Sequence, residues 1–378
     1  HRREILEQAL GTFRRVLGDG AFGELWVDGE TPSRFEHVFA SVQTASRGLE
    51  RAVPADHFHY VVVDECHHMP AESYQKTMRW LAPEILLGIT ATPERSDGRS
   101  LLPDFGGRIA AELRLWHALE KELLVPFEYY GLSDGVDLRD AKWSRAGYGA
   151  ADLDAIYTGN EARVDVVVAQ LERRVGRLHE MRAVAFCVSV EHAEFMARAF
   201  TERGIPAIAV HGQSDDAVRD GAKGRLERRE IRVICTCDLY NEGVDLPFVD
   251  TLILLRPTAS ATLFMQQLGR GLRLAPGKTS CLVLDFIGQH RKEFRFDDIY
   301  EALTGIPKAK LEAAAREGFP FLPGGCVLEL DPVAQKTVLA SLKRQVPTVE
   351  HLVRELRDLG ASFAANGKGV PTLGEFLE

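Results

Sequence analysis

Short apolar runs and amphipathic stretches alternate along most of the 378-residue chain. Runs of β-branched and aliphatic residues indicate buried strands, whereas apolar positions spaced three or four apart indicate helices. Strict alternation of the two predicts parallel strands joined by helices. Strands are predicted over 24–27, 37–42, 59–64, 85–89, 125–132, 183–188, 207–210, 231–237, 251–255 and 281–286. Helices are predicted over 3–17, 71–80, 113–124, 161–178, 191–203, 215–229 and 266–273.

This alternation occurs twice, which predicts an α/β protein with two doubly wound parallel-sheet lobes. Residues 1–132 are assigned to the first lobe and residues 159–300 to the second. Residues 133–158 contain Gly, Asp and Ser without periodicity, so they are interpreted as a linker or surface excursion. Residues 301–378 are expected to form a mostly helical or irregular tail that leads to a further domain.

Composition and charge exclude only a few classes of protein and site. The net charge of −9 argues against a uniformly basic surface, although cations confined to one channel can still hold nucleic acid. No apolar run approaches the roughly 18 residues of a membrane span, so no membrane association is expected. The six cysteines are scattered and form no CxxC pair, which argues against a zinc site and suits a reducing cytoplasm.

Two adjacent acids, Asp64 and Glu65, follow the apolar run Val61–Val63. A buried strand that ends in carboxylates delivers them to the carboxyl edge of a sheet, where ligands bind in open α/β folds. Such oxygens suit a magnesium ion that also contacts nucleotide phosphates. One acid can hold the metal while the other orients an attacking water. Taken alone, the pair could equally be a solvated turn or a helix N-cap.

Paired arginines lie far downstream in the stretch Gln266–Arg273. Arg270 and Arg273 are one turn apart if the stretch is helical, so they are expected to share a face with Gln266. Two like charges on one face are unfavourable unless an anion lies between them, and guanidinium groups match phosphate oxygens. The alternative is a solvated basic helix.

Four stretches together resemble the motifs of a superfamily 2 helicase or translocase core of the DExH type. They are similar, in the family's order, to motif II (Asp64–His67), motif III (Thr90–Thr92), motif V (Asn241–Pro247) and motif VI (Gln266–Arg273). The last two are most similar to the bacterial branch near the excision-repair and restriction-enzyme translocases. The resemblance implies two RecA-like lobes with ATP and magnesium between them.

The resemblance also implies roles for individual residues. Asp64 would bind magnesium, Glu65 would polarise the attacking water, and Arg270 and Arg273 would act as arginine fingers beside Gln266. His67 would link nucleotide state to the contact between lobes; a zinc site at this histidine lacks a third ligand at suitable spacing.

Other motif residues carry coupling and binding roles in the family. Thr90, Ala91 and Thr92 would relay between the lobes, although turn hydroxyls that cap local backbone are the alternative. Gly243 and Asp245 would contact the ribose. Phosphate contacts along a nucleic-acid strand would come from Arg2, Gln43, Thr44, Ser189 and Thr236. Such contacts position a strand without reading its sequence, so binding is expected to be sequence-independent.

The family's phosphate-binding loop, GxxxxGK[ST], does not occur in the chain. Pro276–Thr279 ends in Gly-Lys-Thr, but Leu272 stands where the first glycine is required, so a turn is predicted there. We therefore expect the numbered chain to begin inside the first lobe and to hydrolyse ATP poorly without the missing loop.

The sequence as a whole predicts an ATP-dependent helicase or translocase. DNA is expected rather than RNA, in repair, restriction or phage defence, with a nuclease or other domain fused outside this segment. One alternative is an RNA-remodelling helicase with the same motor. Another is a non-catalytic nucleic-acid-binding module, which would follow if the parent protein lacked the phosphate loop.

Overall fold

Parallel strands and helices alternate in the structure, a computed structural model that describes residues 3–66, 72–90, 101–144, 147–237 and 246–345. The predicted α/β class is confirmed. Among the described helices, none is both long and apolar enough to cross a bilayer.

The N-terminal region contains two separate parallel strand pairs. Its elements are α1 (Arg3–Leu17), β1 (Glu24–Trp26), β2 (Val38–Ala40), α2 (Val42–Ala52), β3 (Tyr60–Asp64), α3 (Glu72–Trp80) and β4 (Ile85–Ile89). Strand β1 pairs with β2, and β3 pairs with β4. In the second pair a helix joins two parallel strands, which is the βαβ unit that the sequence predicts.

One face of the β3–β4 pair is apolar and exposed. Register places Tyr60 beside Ile85 and Val62 beside Leu87, and Ile89 continues the same row. These five side chains are 42–69% exposed, whereas Val63 on the opposite face is buried. Strand alternation therefore gives this pair one core-facing side and one open side.

The C-terminal region is built on a parallel sheet of seven described strands in the order β13-β5-β12-β11-β8-β10-β9. Its strands are β5 (Phe127–Asp137), β8 (Ala183–Phe186), β9 (Ala207–Val210), β10 (Val233–Thr236), β11 (Thr251–Leu254), β12 (Cys281–Gln289) and β13 (Val327–Leu330). Its helices are α4 (Leu115–Glu120), α6 (Glu161–Arg174), α7 (Val190–Glu202), α8 (Asp216–Glu227), α9 (Ala261–Gly271), α10 (Phe296–Thr304), α11 (Lys308–Arg316) and α12 (Pro332–Gln345).

Residues 127–158 join this second region more closely than the sequence indicates. Strand β5 pairs with β12 along most of its length, and its second half lies where an unstructured linker was expected. A short antiparallel hairpin, β6 (Trp143–Ser144) and β7 (Gly147–Tyr148), and the helix α5 (Ala150–Tyr157) follow. Leu153 and Tyr157 of this helix are buried in an apolar cluster with Val136 and Leu138. The periodicity was too short to reveal a helix of two turns.

The tail also contributes to the second sheet. Its described part, residues 301–345, is mostly helical, as expected, but its strand β13 pairs in parallel with β5 at the sheet's edge. The domain bounds themselves stay a prediction.

The core lies on both faces of the seven-stranded sheet. In β8, Val184 and Phe186 belong to one apolar cluster, while Ala183 and Ala185 belong to the cluster on the other face. Successive side chains of a strand point to opposite faces, so a fully apolar strand must be covered on both. The helices supply that cover, which explains why these strands are continuous apolar runs.

A buried polar group links the sheet to the tail. Tyr129 on β5 donates a hydrogen bond of 2.5 Å to Asp285 Oδ2 on β12, and the hydroxyl groups of Tyr129 and Tyr300 lie 3.3 Å apart. Tyr300 belongs to α10, so the network joins two strands and a tail helix. Burial raises the pKa of the Asp285 carboxyl to about 7, against the lowering effect of the tyrosine hydrogen bond.

Asp285 should make the free energy of unfolding depend on pH. An ordinary unfolded carboxyl has a pKa near 4, so between about pH 4 and pH 7 the unfolded state releases a proton that the folded state keeps. Stability attributable to this group is therefore full at low pH and falls as the pH rises through this window. Between pH 5 and pH 7, the free energy of unfolding of the wild type should fall by about 2 kcal/mol relative to that of Asp285→Asn.

Urea unfolding of both proteins at pH 5, 6, 7 and 8 measures this difference. Burial lowers the pKa values of His192 and His290 to about 3, and because both proteins contain these histidines, their effect on stability cancels in the comparison. Parallel stability curves for the two proteins would mean that the folded state holds Asp285 ionised.

Candidate functional site

The acidic residues lie together at the carboxyl edge of the β3–β4 pair. Asp64 is the last residue of β3 and pairs with Ile89, the last residue of β4. Glu65 and Thr90 directly follow these two parallel strands, so both lie at the same edge of the pair. Asp64 is exposed, and Glu65 and Thr90 are half-buried. The structure thus brings the candidate motif II carboxylates and the first threonine of motif III to one edge.

Glu65 has an unusual backbone conformation. Its φ of +51° is in the left-handed region, which costs a residue with a side chain about 1–3 kcal/mol. Its amide donates a 3.0 Å hydrogen bond to Asp64 Oδ1, which helps to hold the turn. The next residue, Cys66, is buried and anchors the segment in the apolar cluster around Val63. Backbone strain of this kind is concentrated at functional sites.

The two carboxylates fit a magnesium ion better than a metal held by protein ligands alone. Within the described ranges, no group of three or more His, Cys, Asp or Glu side chains is placed to hold a metal. Magnesium commonly takes only one or two carboxylates and completes its shell with water and phosphate oxygens. Asp64 and Glu65 provide that donor set.

Helix α9 presents Gln266 and Arg270 on the same face, four residues apart. Ser260 caps its start by accepting a hydrogen bond from the Leu263 amide at 3.3 Å. Both Gln266 and Arg270 are half-buried, and the side-chain nitrogen of Gln266 is buried without an acceptor among the described residues. A buried amide donor of this kind is available to a ligand that supplies an oxygen.

Arg273 lies beyond the helix, which corrects one expectation. Helix α9 ends at Gly271, so Arg270 and Arg273 do not share a helical face as the spacing suggested. The end coincides with Leu272, which is fully buried and accepts a 2.9 Å hydrogen bond from the Val125 amide. The position of Arg273 is therefore set by the segment after the helix.

Gly271 allows α9 to approach the sheet closely, a role that the sequence analysis missed. A methyl group on this residue would lie 2.3 Å from Cys281 Sγ and 2.9 Å from Leu252. By contrast, a methyl group on Gly269 would have no neighbour within 4 Å among the described residues. The repeated glycine of the stretch Gly269–Gly271 was the available signal, but the sequence could not tell which glycine faces the sheet.

Two candidate nucleic-acid contacts lie in the first turn of α2. Gln43 is exposed and Thr44 is half-buried. Ser41 caps this helix by accepting from the Thr44 amide at 3.2 Å, and it donates to the Thr44 hydroxyl at 2.8 Å. A helix N-terminus favours phosphate, so the contact stays a reasonable prediction.

The other two described candidates for nucleic-acid contact are a helix-capping residue and a buried residue. Ser189 caps α7 by accepting from the His192 amide at 2.9 Å, and its hydroxyl donates to Asp154. Thr236, at the end of β10, is fully buried, and its hydroxyl has no hydrogen-bond partner within the described ranges. In this structure the Thr236 side chain is inaccessible to a nucleic-acid strand.

Six other predicted site residues lie outside the described residues. They are Arg2, His67, Ala91, Thr92, Gly243 and Asp245. Their roles stay predictions, as does the meeting of the acidic edge with the arginines across a cleft.

Two families of known proteins match the chain. Residues 1–95 match the family described as "Type III restriction enzyme, res subunit". Residues 164–275 match the "Helicase conserved C-terminal domain". The first match contains the acidic edge, and the second contains α9 and Arg273.

The chain is also similar to individual helicases and to a restriction-modification enzyme. The chain is 26% identical over 298 residues to "Putative ATP-dependent helicase IRC3" of Saccharomyces cerevisiae, covering 76% of this chain and 42% of that protein. Two solved structures each have a TM-score of 0.54: the Type ISP restriction-modification enzyme LlaBIII bound to DNA and S. cerevisiae Dbp5 bound to RNA. They are 16% and 14% identical, and they cover 86% and 89% of this chain and 26% and 79% of their own chains.

The parallel α/β fold and the two family matches support a superfamily 2 helicase core, as the motifs suggested. The chain spans about half the length of three of the curated relatives it matches, from 42% to 49% of each.

Replacing Gly271 by Ala should destabilise the second region. Overpacking of this kind costs about 1–3 kcal/mol, which outweighs the helix-propensity gain of at most about 1 kcal/mol. The matched variant Gly269→Ala adds a methyl group in open space and should stabilise the protein by up to about 1 kcal/mol. Urea unfolding measures both; equal effects of the two substitutions would contradict the close contact at Gly271.

Proposed function

We propose that the natural protein containing this chain is an ATP-dependent nucleic-acid helicase or translocase. The observation that carries the proposal is the common position of Asp64, Glu65 and Thr90 at one sheet edge, with Glu65 in a strained backbone conformation. The helicase matches over 1–95 and 164–275 support it, as does the half-buried pair Gln266 and Arg270 on α9.

The proposed chemistry assigns one task to each group. Asp64 would hold a magnesium ion, which would supply positive charge beside the ATP phosphates. Glu65 accepts a proton from the attacking water, as a general base. Arg270 and Arg273 stabilise the charge that develops on the transferred phosphoryl group. Opening and closing of the two lobes around ATP then moves the protein along a strand.

DNA is the proposed substrate, in restriction, repair or phage defence in the cytoplasm. The support is the match to a restriction-enzyme subunit over residues 1–95. The fold does not discriminate, because the DNA-bound and RNA-bound neighbours have equal TM-scores. Binding should be sequence-independent, because the proposed contacts are to phosphates.

Stimulation of ATP hydrolysis should distinguish DNA from RNA. In the natural protein that contains this chain, single- or double-stranded DNA of random sequence should raise the ATPase rate at least tenfold, and RNA of the same length should raise it less. The stimulation should weaken as salt rises, because phosphate contacts release counterions. Stronger stimulation by RNA would identify the RNA-remodelling alternative, and binding without any hydrolysis would identify the non-catalytic module.

Substitutions at the proposed catalytic residues should abolish hydrolysis while the protein stays folded. Glu65→Gln should lower kcat about 10²-fold or more, and Arg270→Ala about 10³-fold. The matched controls are Glu72→Gln and Arg316→Ala, both at exposed helical positions. Steady-state ATPase kinetics and thermal unfolding provide the measurements. Wild-type kcat in Glu65→Gln would exclude Glu65 as the general base.

A further inference from the structure

Lys278 lies in a turn rather than in a phosphate-binding loop. The Lys278 amide donates a 3.1 Å hydrogen bond to the Ala275 carbonyl, and Gly277 has a φ of +74° that completes the turn. The predicted turn at Pro276–Thr279 is therefore confirmed. The turn leaves the lysine side chain free to reach away from its own segment.

The ammonium group of Lys278 joins two distant segments of the backbone. Its Nζ donates one hydrogen bond of 3.0 Å to the Pro247 carbonyl and another of 3.0 Å to the Arg273 carbonyl. Pro247 is the last residue of the motif V stretch, and Arg273 is the last residue of motif VI. A single charged group thus connects the ends of two stretches that are expected to contact the nucleotide.

Both segments are also anchored without Lys278. Leu246, Val249 and Leu272 are buried in the same apolar cluster. Asp250 accepts hydrogen bonds from the amide and side chain of Arg182 at 3.0 and 3.2 Å. Removal of the ammonium should therefore leave the fold intact and affect only the relative position of the two segments.

The half-buried ammonium carries a desolvation cost that these two contacts offset. Burial lowers the pKa of the Lys278 amine, and the nearby Arg182 and Arg273 lower it further, against Cys281 and Asp250. A charged donor strengthens each hydrogen bond about twofold over a neutral one. An apolar residue at this position would avoid the cost but could not bridge two carbonyls.

We propose that Lys278 is a positioning residue that fixes Arg273 relative to the end of motif V. Arg273 lies beyond α9, and its carbonyl accepts a hydrogen bond from the Lys278 ammonium. The consequence is a fixed distance between the backbone at Arg273 and the backbone at Pro247. This role rests on the proposed ATPase function, although the contact itself does not.

Hydrogen–deuterium exchange tests the contact independently of any activity. Lys278→Met keeps the apolar stem and removes the donors, so peptides covering 246–250 and 272–279 should exchange at least tenfold faster. Lys278→Arg retains a charged donor and should recover most of the protection. Lys310→Met, at an exposed site on α11, is the matched control and should change neither peptide. Unchanged exchange in Lys278→Met would refute the bridging role.

ATPase kinetics of the natural protein test the consequence for catalysis. Displacement of a catalytic group by about 1 Å can cost 10²-fold, so Lys278→Met should lower kcat about 10- to 100-fold. The KM for ATP should change less than twofold, and Lys278→Arg should restore much of kcat. A raised KM with unchanged kcat would instead mean that Lys278 binds phosphate, which overturns the proposal. A wild type without ATPase activity would refute the proposed function, and the exchange experiment would still decide the bridging role.

Discussion

The close contact between α9 and the second sheet is the constraint on which the arginine site depends. Because Gly271 has no side chain, the end of this helix can lie against Leu252 of β11 and Cys281 of β12. A side chain at this position would push the helix away from the sheet and move Arg270 with it. Close packing leaves little room for compensation, since protein interiors are nearly as dense as organic crystals.

The order of strands in the second sheet explains why so much of the chain supports this contact. Strands β11 and β12 lie inside the sheet, with β5 and β13 on one side and β8, β10 and β9 on the other. The outer strands β5 and β13 come from segments that flank the motif-bearing core in sequence. The hydrogen bonds among Tyr129, Asp285 and Tyr300 connect β5 and β12 to α10.

Different interactions position the acidic edge and the arginine side of the proposed site. The acidic edge relies on strand register and on one residue, Glu65, held at positive φ. The arginine side relies on a capped helix followed by a segment whose carbonyls are taken up by the Val125 amide and the Lys278 ammonium. Both sets of interactions fix the position of the backbone before any ligand binds. Catalysis by charge stabilisation requires such preorganisation.

Sequence periodicity and motif spacing determined the fold class, most strands of both regions, the edge carrying Asp64 and Glu65, and the superfamily that the motifs resemble. Each of these depends on local properties: continuous apolar runs make buried strands, and residues that follow parallel strands must meet at one edge. Helix ends were less predictable, since α9 ends at Gly271, just before the fully buried Leu272, whereas the motif spacing suggested a helix as far as Arg273.

Only the tertiary structure decided which strands pair and which side chains contact each other. It placed β5 and β13 in the second sheet, buried Thr236, selected Gly271 over Gly269 as the packing glycine, and brought the Lys278 ammonium to two carbonyls. The physical reason is that these contacts join residues far apart in the chain. Their energies depend on which surfaces meet in space, and no pattern within a single segment encodes that choice.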